Sequence, residues 1–296
     1  MDTKQQNEAL AYFKKYADDW RKKGSVDSQD KVNVIKQRND FVLKVINERE
    51  KTKTALDIGC GTGDLVCEIA SRGIDAIGVD FAKEMIEIAE DNAKKVKKGK
   101  AGFECCSIFD FQFDPDKYDV ISANGFIEYI SYKELDELLN LCWKALKKDG
   151  SLVLGSRNRL FNIFSLNVFT KEEIENGDIT LLLLEAIQIV KSDNINDLIG
   201  FTTAPFQKEQ KEHKETGIKV STRYQFTPAQ LVNMLKGKGF EPIEIFPIHI
   251  HGVAPKFKDK YPLVHGNISN LLQNYASENM SLIPQSSSLM IHVKKV

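Results

Sequence analysis

The chain has 296 residues, enough for one α/β core with insertions and short for two large domains. Lys and Arg (41) nearly balance Asp and Glu (42), leaving a formal net charge of −1. Such a balance argues against an extended nucleic-acid groove, which normally carries a basic excess. The polar start, Met1 to Gln6, lacks the apolar centre of a signal peptide.

The first fifty residues read as a helical cap. Tyr12, Phe13, Tyr16 and Trp20 form an apolar stripe at helical spacing, and a polar stretch follows from Gly24 to Asp30. Val32 to Glu48 reads as a second helix through Val34, Ile35, Arg38, Val42, Val45 and Ile46. From Thr54 short strands alternate with helices. The strands are expected at Thr54–Ile58, Ala76–Asp80, Phe103–Cys106, Tyr118–Ser122 and Ser151–Gly155. Helices fall between them at Asp64–Arg72, Ala82–Ala93 and Lys133–Leu146. A βαβ series of this kind predicts an α/β fold with a doubly wound, mostly parallel sheet.

The rhythm then breaks. Residues 157–222 form a first insertion, which holds the apolar run Ile179–Val190 and the charged run Lys208–Glu215. The apolar run is too short to span a bilayer and carries Glu185 and Gln188, so it reads as a buried helix. Thr227 to Lys238 is a helix with Pro228 in its first turn and Gly239 at its end. Glu241–Ile248 is a sixth strand, residues 252–285 a second insertion, and Ser287–Lys294 a last strand. Residues 51–296 therefore read as one binding domain with two lid-like insertions. The five cysteines, Cys60, Cys67, Cys105, Cys106 and Cys142, contain no Cys-x-x-Cys pair and read as reduced thiols, which suits the cytoplasm.

The chemistry-bearing motif is Leu56-Asp57-Ile58-Gly59-Cys60-Gly61-Thr62-Gly63, which follows a strand and opens a helix. Glycines there let the backbone approach a ligand without Cβ clashes. The dinucleotide pattern Gly-x-Gly-x-x-Gly would put its last glycine where Asp64 stands. Asp80, about twenty residues on, ends the second strand; a carboxylate there can accept from ribose hydroxyls or cap the next helix.

With Val79-Asp80, this loop resembles that of the class I (Rossmann-like) S-adenosylmethionine-dependent methyltransferases. The resemblance runs well over Thr54 to Ser156 and in outline from Thr227 onward. It implies a seven-stranded sheet whose last strand is antiparallel and sits beside the sixth. It also implies roles by position. Asp57, Gly59, Cys60, Gly61 and Gly63 would hold the methionine end of the cofactor. Asp80 would hold the ribose, Phe81 would pack on the adenine, and Met85, Ser107 and Ile108 would line the same pocket. Ser122 to Ile130 resembles the fourth-strand segment of small-molecule methyltransferases, including ubiquinone-biosynthesis O-methyltransferases, with Asn124 near the methionine moiety. Tyr129 stands where those enzymes usually have a histidine, so the most obvious imidazole base is missing.

Candidates for catalysis are therefore His249 and His251, at the ligand-side end of the sixth strand, and Glu128. The i, i+2 spacing puts both imidazoles on one side of an extended segment. The pair would suit a metal only if a carboxylate such as Glu128 came near, and none is expected. His213 and His292 read as solvated and structural; the role of His265 stays open. Arg157, Arg223 and Tyr224 are candidate acceptor contacts. The acceptor pocket would be built by the N-terminal helices and the two insertions, with Phe161, Phe164 and Phe169 as candidate lining. The leading expectation is methyl transfer to an oxygen or nitrogen of a small molecule or sugar. A non-catalytic cofactor-binding domain and a protein methyltransferase are the alternatives. The glycine spacing speaks against a nicotinamide enzyme.

Overall fold

The computed structural model describes residues 32–192, 194–208 and 224–296. The Tyr12–Trp20 stripe, the Gly24–Asp30 stretch, His213, nearly all of the charged run and Arg223 lie outside the described residues.

The seven strands are β1 (Thr54–Ile58), β2 (Asp75–Asp80), β3 (Ala101–Cys105), β4 (Tyr118–Asn124), β5 (Leu146–Arg157), β6 (Phe240–Ile250) and β7 (Ser286–Lys295). They form one sheet in the order β3-β2-β1-β4-β5-β7-β6. β1 pairs in parallel with both β2 and β4, for example Leu56 with Ile77 and with Ile121. β7 runs antiparallel between β5 and β6. β6 therefore points the same way as β5, and its carboxyl end shares an edge with those of β1, β2 and β4. The strand order reverses between β1 and β4, which opens a crevice at that edge.

Both faces of the sheet are buried, and the strand alternation says why. Ile121, Leu152 and Leu154 pack into one core layer, while Val120 and Val153 pack into the other. The first layer is covered by α4 (Tyr132–Ala145), through Leu135, Leu138, Leu139 and Cys142, and by α8 (Pro228–Gly237), through Leu231, Val232 and Leu235. Each helix starts at a reciprocal cap. Ser131 Oγ accepts the Glu134 amide while Glu134 accepts the Ser131 amide, and Thr227 and Gln230 repeat the pattern. The second layer holds α2 (Asp64–Ser71), through Leu65, Val66 and Ile69, and α1 (Val34–Asn47). α1 lies within this layer, with Phe41 stacked on Phe246 of β6 at 4.8 Å and Lys44 paired with Glu244 at 2.7 Å. α3 (Lys83–Ala93) follows β2 and buries Met85, Ile86 and Ala89.

The first insertion folds as short helices α5 (Asn162–Ser165) and α6 (Val168–Glu175), then α7 (Ile179–Lys191). Its hub is Arg159, 1% exposed, whose guanidinium meets Glu173 and Asp178 at 2.7 Å each. The helix α7 is expected to be buried, and it is so on one face only. Leu182, Glu185, Ala186 and Ile189 are buried, but Leu183, Leu184, Ile187 and Val190 face outward. The run is apolar on more positions than the one face that meets the core can cover. The second insertion contributes α9 (Pro255–Lys260) and α10 (Pro262–Gln273). All five cysteines are free thiols. Among the described residues, no helix is long and apolar enough to cross a membrane.

Candidate active site

A cleft of about 1280 Å³ opens along the carboxyl ends of the strands. Its floor is the glycine loop. Gly61 has φ +52, and a Cβ built there meets nothing within 4 Å. The backbone at this point is thus bare toward the cleft, a cradle that any side chain would fill. Gly63 does different work and does not line the cleft. A Cβ there would stand 2.7 Å from Ala89 and from the Phe103 ring, so this glycine lets α2 and α3 close on the sheet. Only its backbone is therefore left to meet the methionine end of a cofactor.

Asp80 serves both of the roles its position allows. One carboxylate oxygen accepts the Gly61 amide at 3.0 Å and the other the Ala82 amide at 2.9 Å. It therefore ties the loop to the start of α3 while lining the cleft. Each oxygen keeps a lone pair for a ligand hydroxyl. Burial raises its pKa, and its backbone hydrogen bonds oppose the rise. Asp57 is more perturbed. It lies at the cleft wall, accepts the Ser122 hydroxyl at 2.7 Å, and is pushed up to about 7, first by burial and further by the charge of Asp80. Cys60, Phe81, Met85, Ser107, Ile108 and Asn124 also line the cleft, as does Gly59.

At the other end the candidate catalytic groups gather. Glu128 is buried between two guanidiniums, Arg38 of α1 and Arg157 of β5, each at 3.7 Å. Arg38 also donates to Ser288 at 2.9 Å. Tyr224 is corrected as an acceptor contact. Its amide is bonded to the Glu128 carbonyl, and its ring packs on Tyr132 at 4.2 Å, away from the cleft. Phe161 and Phe169 line the cleft, and Phe164 points outward. Asn162 and Gln225 join them through a bond between their side chains at 2.7 Å. α1, both insertions and the strand ends thus enclose one space.

His249 and His251 both line it, with ring centroids 4.3 Å apart. His249 adopts φ +55, a left-handed conformation unusual for a non-glycine residue. Its amide is held by the Gln37 side chain at 2.9 Å. Its Nδ1 meets Ser287 Oγ at 3.2 Å, and its Nε2 meets Nε2 of His265, on α10, at 3.0 Å. Burial lowers the pKa of all three histidines, to about 3 for His251, and the charge of Lys258 adds to this. His292, by contrast, is built into β7 with Nε2 on Ser151 at 3.0 Å.

Sequence reasoning did not assign Arg38, Asn39 or Phe126 to the site and left His265 open; the first three line the cleft. Arg38 had a local signal, since it is a charge on the apolar stripe of its helix. His265 had none, because α10 reaches the strand end only through the fold.

Residues 55–150 match the model of a methyltransferase domain. The matched domain and the fold support an S-adenosylmethionine-dependent methyltransferase of class I, a kind of enzyme whose cofactor is S-adenosylmethionine. Among curated relatives, a ubiquinone biosynthesis O-methyltransferase of Coxiella burnetii is 26% identical over 171 residues, covering 57% of this chain and 70% of that one. Two solved structures share the fold. One is magnesium protoporphyrin IX methyltransferase of Synechocystis with bound S-adenosylhomocysteine, at TM-score 0.57, 14% identity, and coverage of 99% of this chain and 100% of that one. The other is a 1,6-didemethyltoxoflavin-N1-methyltransferase of Burkholderia thailandensis, at TM-score 0.57, 11% identity, and coverage of 100% and 91%.

Proposed function

We propose that the chain methylates an oxygen or nitrogen of a small, enclosed acceptor, and that one cleft holds acceptor and cofactor together. The observation that carries this reading is the cleft itself. At about 1280 Å³ it exceeds the roughly 300–1,000 Å³ of a single ligand site. The bare glycine cradle lies at one end and the aromatic, arginine and histidine wall at the other. The ubiquinone relative and the toxoflavin enzyme are named for small-molecule chemistry, which supports an acceptor of that size.

The cofactor supplies a methyl group already activated on a sulfonium. The residues of this chain position and enclose it. Asp57 and the Gly59–Gly61 backbone hold the methionine end, Asp80 the ribose hydroxyls, and Phe81, Met85, Ser107 and Ile108 the base, with Asn124 beside the methionine moiety. Closure by the two insertions excludes water and aligns the acceptor, which contributes to rate through orientation. Arg157 and Glu128 contact the acceptor's polar groups. Glu128, fixed between two arginines, is placed to orient a donor hydroxyl. His249 and His251 are weak bases in this surrounding, so we assign them to holding the acceptor atom.

A plugged acceptor site would mark a non-catalytic binding domain, and the open cleft gives no support to that alternative. A protein acceptor is the second reading, and the enclosing insertions disfavour it. The test is calorimetry with S-adenosylmethionine, S-adenosylhomocysteine and NAD on the wild type, Asp80→Ala and Gly61→Val. Both sulfur ligands should bind the wild type, and both variants should lose at least tenfold in affinity. Equal binding by Gly61→Val would remove the cradle from the site. Methyl transfer from labelled cofactor should then appear with a small-molecule pool and not with a denatured protein pool; the reverse would overturn the acceptor reading.

A further inference from the structure

Two histidines at the far wall of the cleft, and a third behind them, are joined by contacts that neither cofactor binding nor sheet packing requires. His249 and His251 come from the end of β6, and His265 comes from α10, fourteen positions beyond His251. All three are buried, and each offers a ring nitrogen such that the three atoms lie within 4.8 Å of one another. Two details distinguish the group from an ordinary aromatic cluster. Both ring nitrogens of His251 are buried with no hydrogen-bond partner, although the residue is 6% exposed. A buried polar atom without a partner costs about 1–3 kcal/mol, so the arrangement calls for a ligand. His249 meanwhile places Nδ1 on Ser287 Oγ and aims Nε2 into the cluster. A metal-bound histidine is oriented in this way, its second nitrogen held by an oxygen.

We propose that His249, His251 and His265 bind a single divalent transition-metal ion of the zinc type, with its fourth position open to the cleft. Zinc takes imidazole nitrogens at about 2.0–2.1 Å, so tetrahedral ligands lie roughly 3.3 Å apart. The His249–His265 pair is already at 3.0 Å, and the widest separation must close by about 1.5 Å, a side-chain adjustment. Phe161 packs on His251 at 4.6 Å and limits how its ring can turn. Where the sequence called for a carboxylate to complete a site with this pair, the fold supplies a third imidazole instead. Three neutral nitrogens with one open position make the arrangement of a catalytic rather than a structural zinc. Lys258, the cation acting on all three rings, is solvent-exposed, so water weakens its opposition.

The role of the ion rests on the methyltransferase reading; its binding does not. A hydroxyl of the acceptor entering the fourth position would lose its proton to solvent more readily, because the ion stabilises the resulting anion. This deepens the acceptor assignment to molecules that receive the methyl group on a hydroxyl oxygen, and it gives the histidines a function that does not require them to take a proton.

The experiment uses the full chain stripped with a chelator and titrated with Co²⁺, then with Zn²⁺ in competition, alongside calorimetry with S-adenosylmethionine. The wild type should take up one Co²⁺ per chain with the strong visible absorption of a four-coordinate site, and Zn²⁺ should displace it. Removing an orienting partner alone weakens metal sites by about 10–100-fold, so His251→Ala and His265→Gln should each lose at least about 100-fold in metal affinity. Cofactor affinity in both should stay within twofold, which also shows that they fold. No Co²⁺ uptake by the wild type, the weak absorption of a six-coordinate surface site, or unchanged affinity in folded variants would overturn the metal site. Cofactor binding without metal binding would leave the methyltransferase reading standing and sink only this one. Should both variants misfold, the wild-type stoichiometry and absorption decide the matter.

Discussion

Asp57 combines a proposed cofactor contact with a stability cost, and the substitution Asp57→Asn separates the two. In the folded, cofactor-free chain its pKa is pushed from 3.8 to about 7, chiefly by burial. The folded value lies above the unfolded one. The carboxyl therefore imposes no penalty below about pH 4, and the stability it permits is lost as pH rises toward 7. At pH 8 the ionised group costs about 4 kcal/mol, from roughly 3 pKa steps at about 1.4 kcal/mol each. Asparagine carries no charge and its side-chain oxygen can still accept the Ser122 hydroxyl. The variant should therefore be more stable than the wild type at pH 8, and by roughly 2–3 kcal/mol less so at pH 5. Cofactor affinity should move the other way. Loss of a charge-assisted bond to the cationic end of the ligand costs about 1.5–3 kcal/mol, or roughly tenfold to a hundredfold. Urea unfolding at the two pH values measures the first effect and calorimetry the second. A variant that binds S-adenosylmethionine as tightly as the wild type would refute the assignment. One with no added stability at pH 8 would refute the strained carboxylate.

Two further outcomes concern the frame around the site. Glu185 is fully buried on α7, accepts the Ala229 amide at 2.8 Å, and is raised by burial from 4.5 to about 7. By the same sign, its stability contribution is lost as pH rises from about 4.5 to 7, so Glu185→Gln should gain about 3 kcal/mol over the wild type at pH 8 and almost none at pH 4; equal urea midpoints at pH 8 would show that the site is wetter than its burial implies. Arg159→Ala leaves Glu173 buried without its cation and should cost about 3–5 kcal/mol in chemical denaturation; a loss below about 1 kcal/mol would mean that the Asn162 and Gln207 amides satisfy the carboxylate without it.

The strands, their order of appearance and the glycine loop were legible because they rest on local rules. A period of two separates Ile121 from Val120 onto opposite faces, and a period near three and a half puts Leu135, Leu138, Leu139 and Cys142 on one side of α4. Gly59, Gly61 and Asp80 were legible for a related reason. A bare backbone turn after a strand and a carboxylate at the end of the next are neighbours through the first βαβ unit alone. Gly63 shows the limit. The residue type announced a missing Cβ, and only the packing of Ala89 and Phe103 against it showed that protein, not ligand, occupies the space.

What the sequence by itself determined is thus the glycine-loop end of the cleft, since its parts are close in sequence and their geometry follows from backbone rules. The opposite end was decided by tertiary structure. Arg38 reaches Glu128 from the first described helix, Arg157 reaches it from β5, and His265 reaches His249 across the second insertion. None of these pairs is set by a local spacing. They meet because helices whose apolar faces are satisfied by the sheet carry their polar residues to its carboxyl edge, and that placement exists only once the whole core has packed.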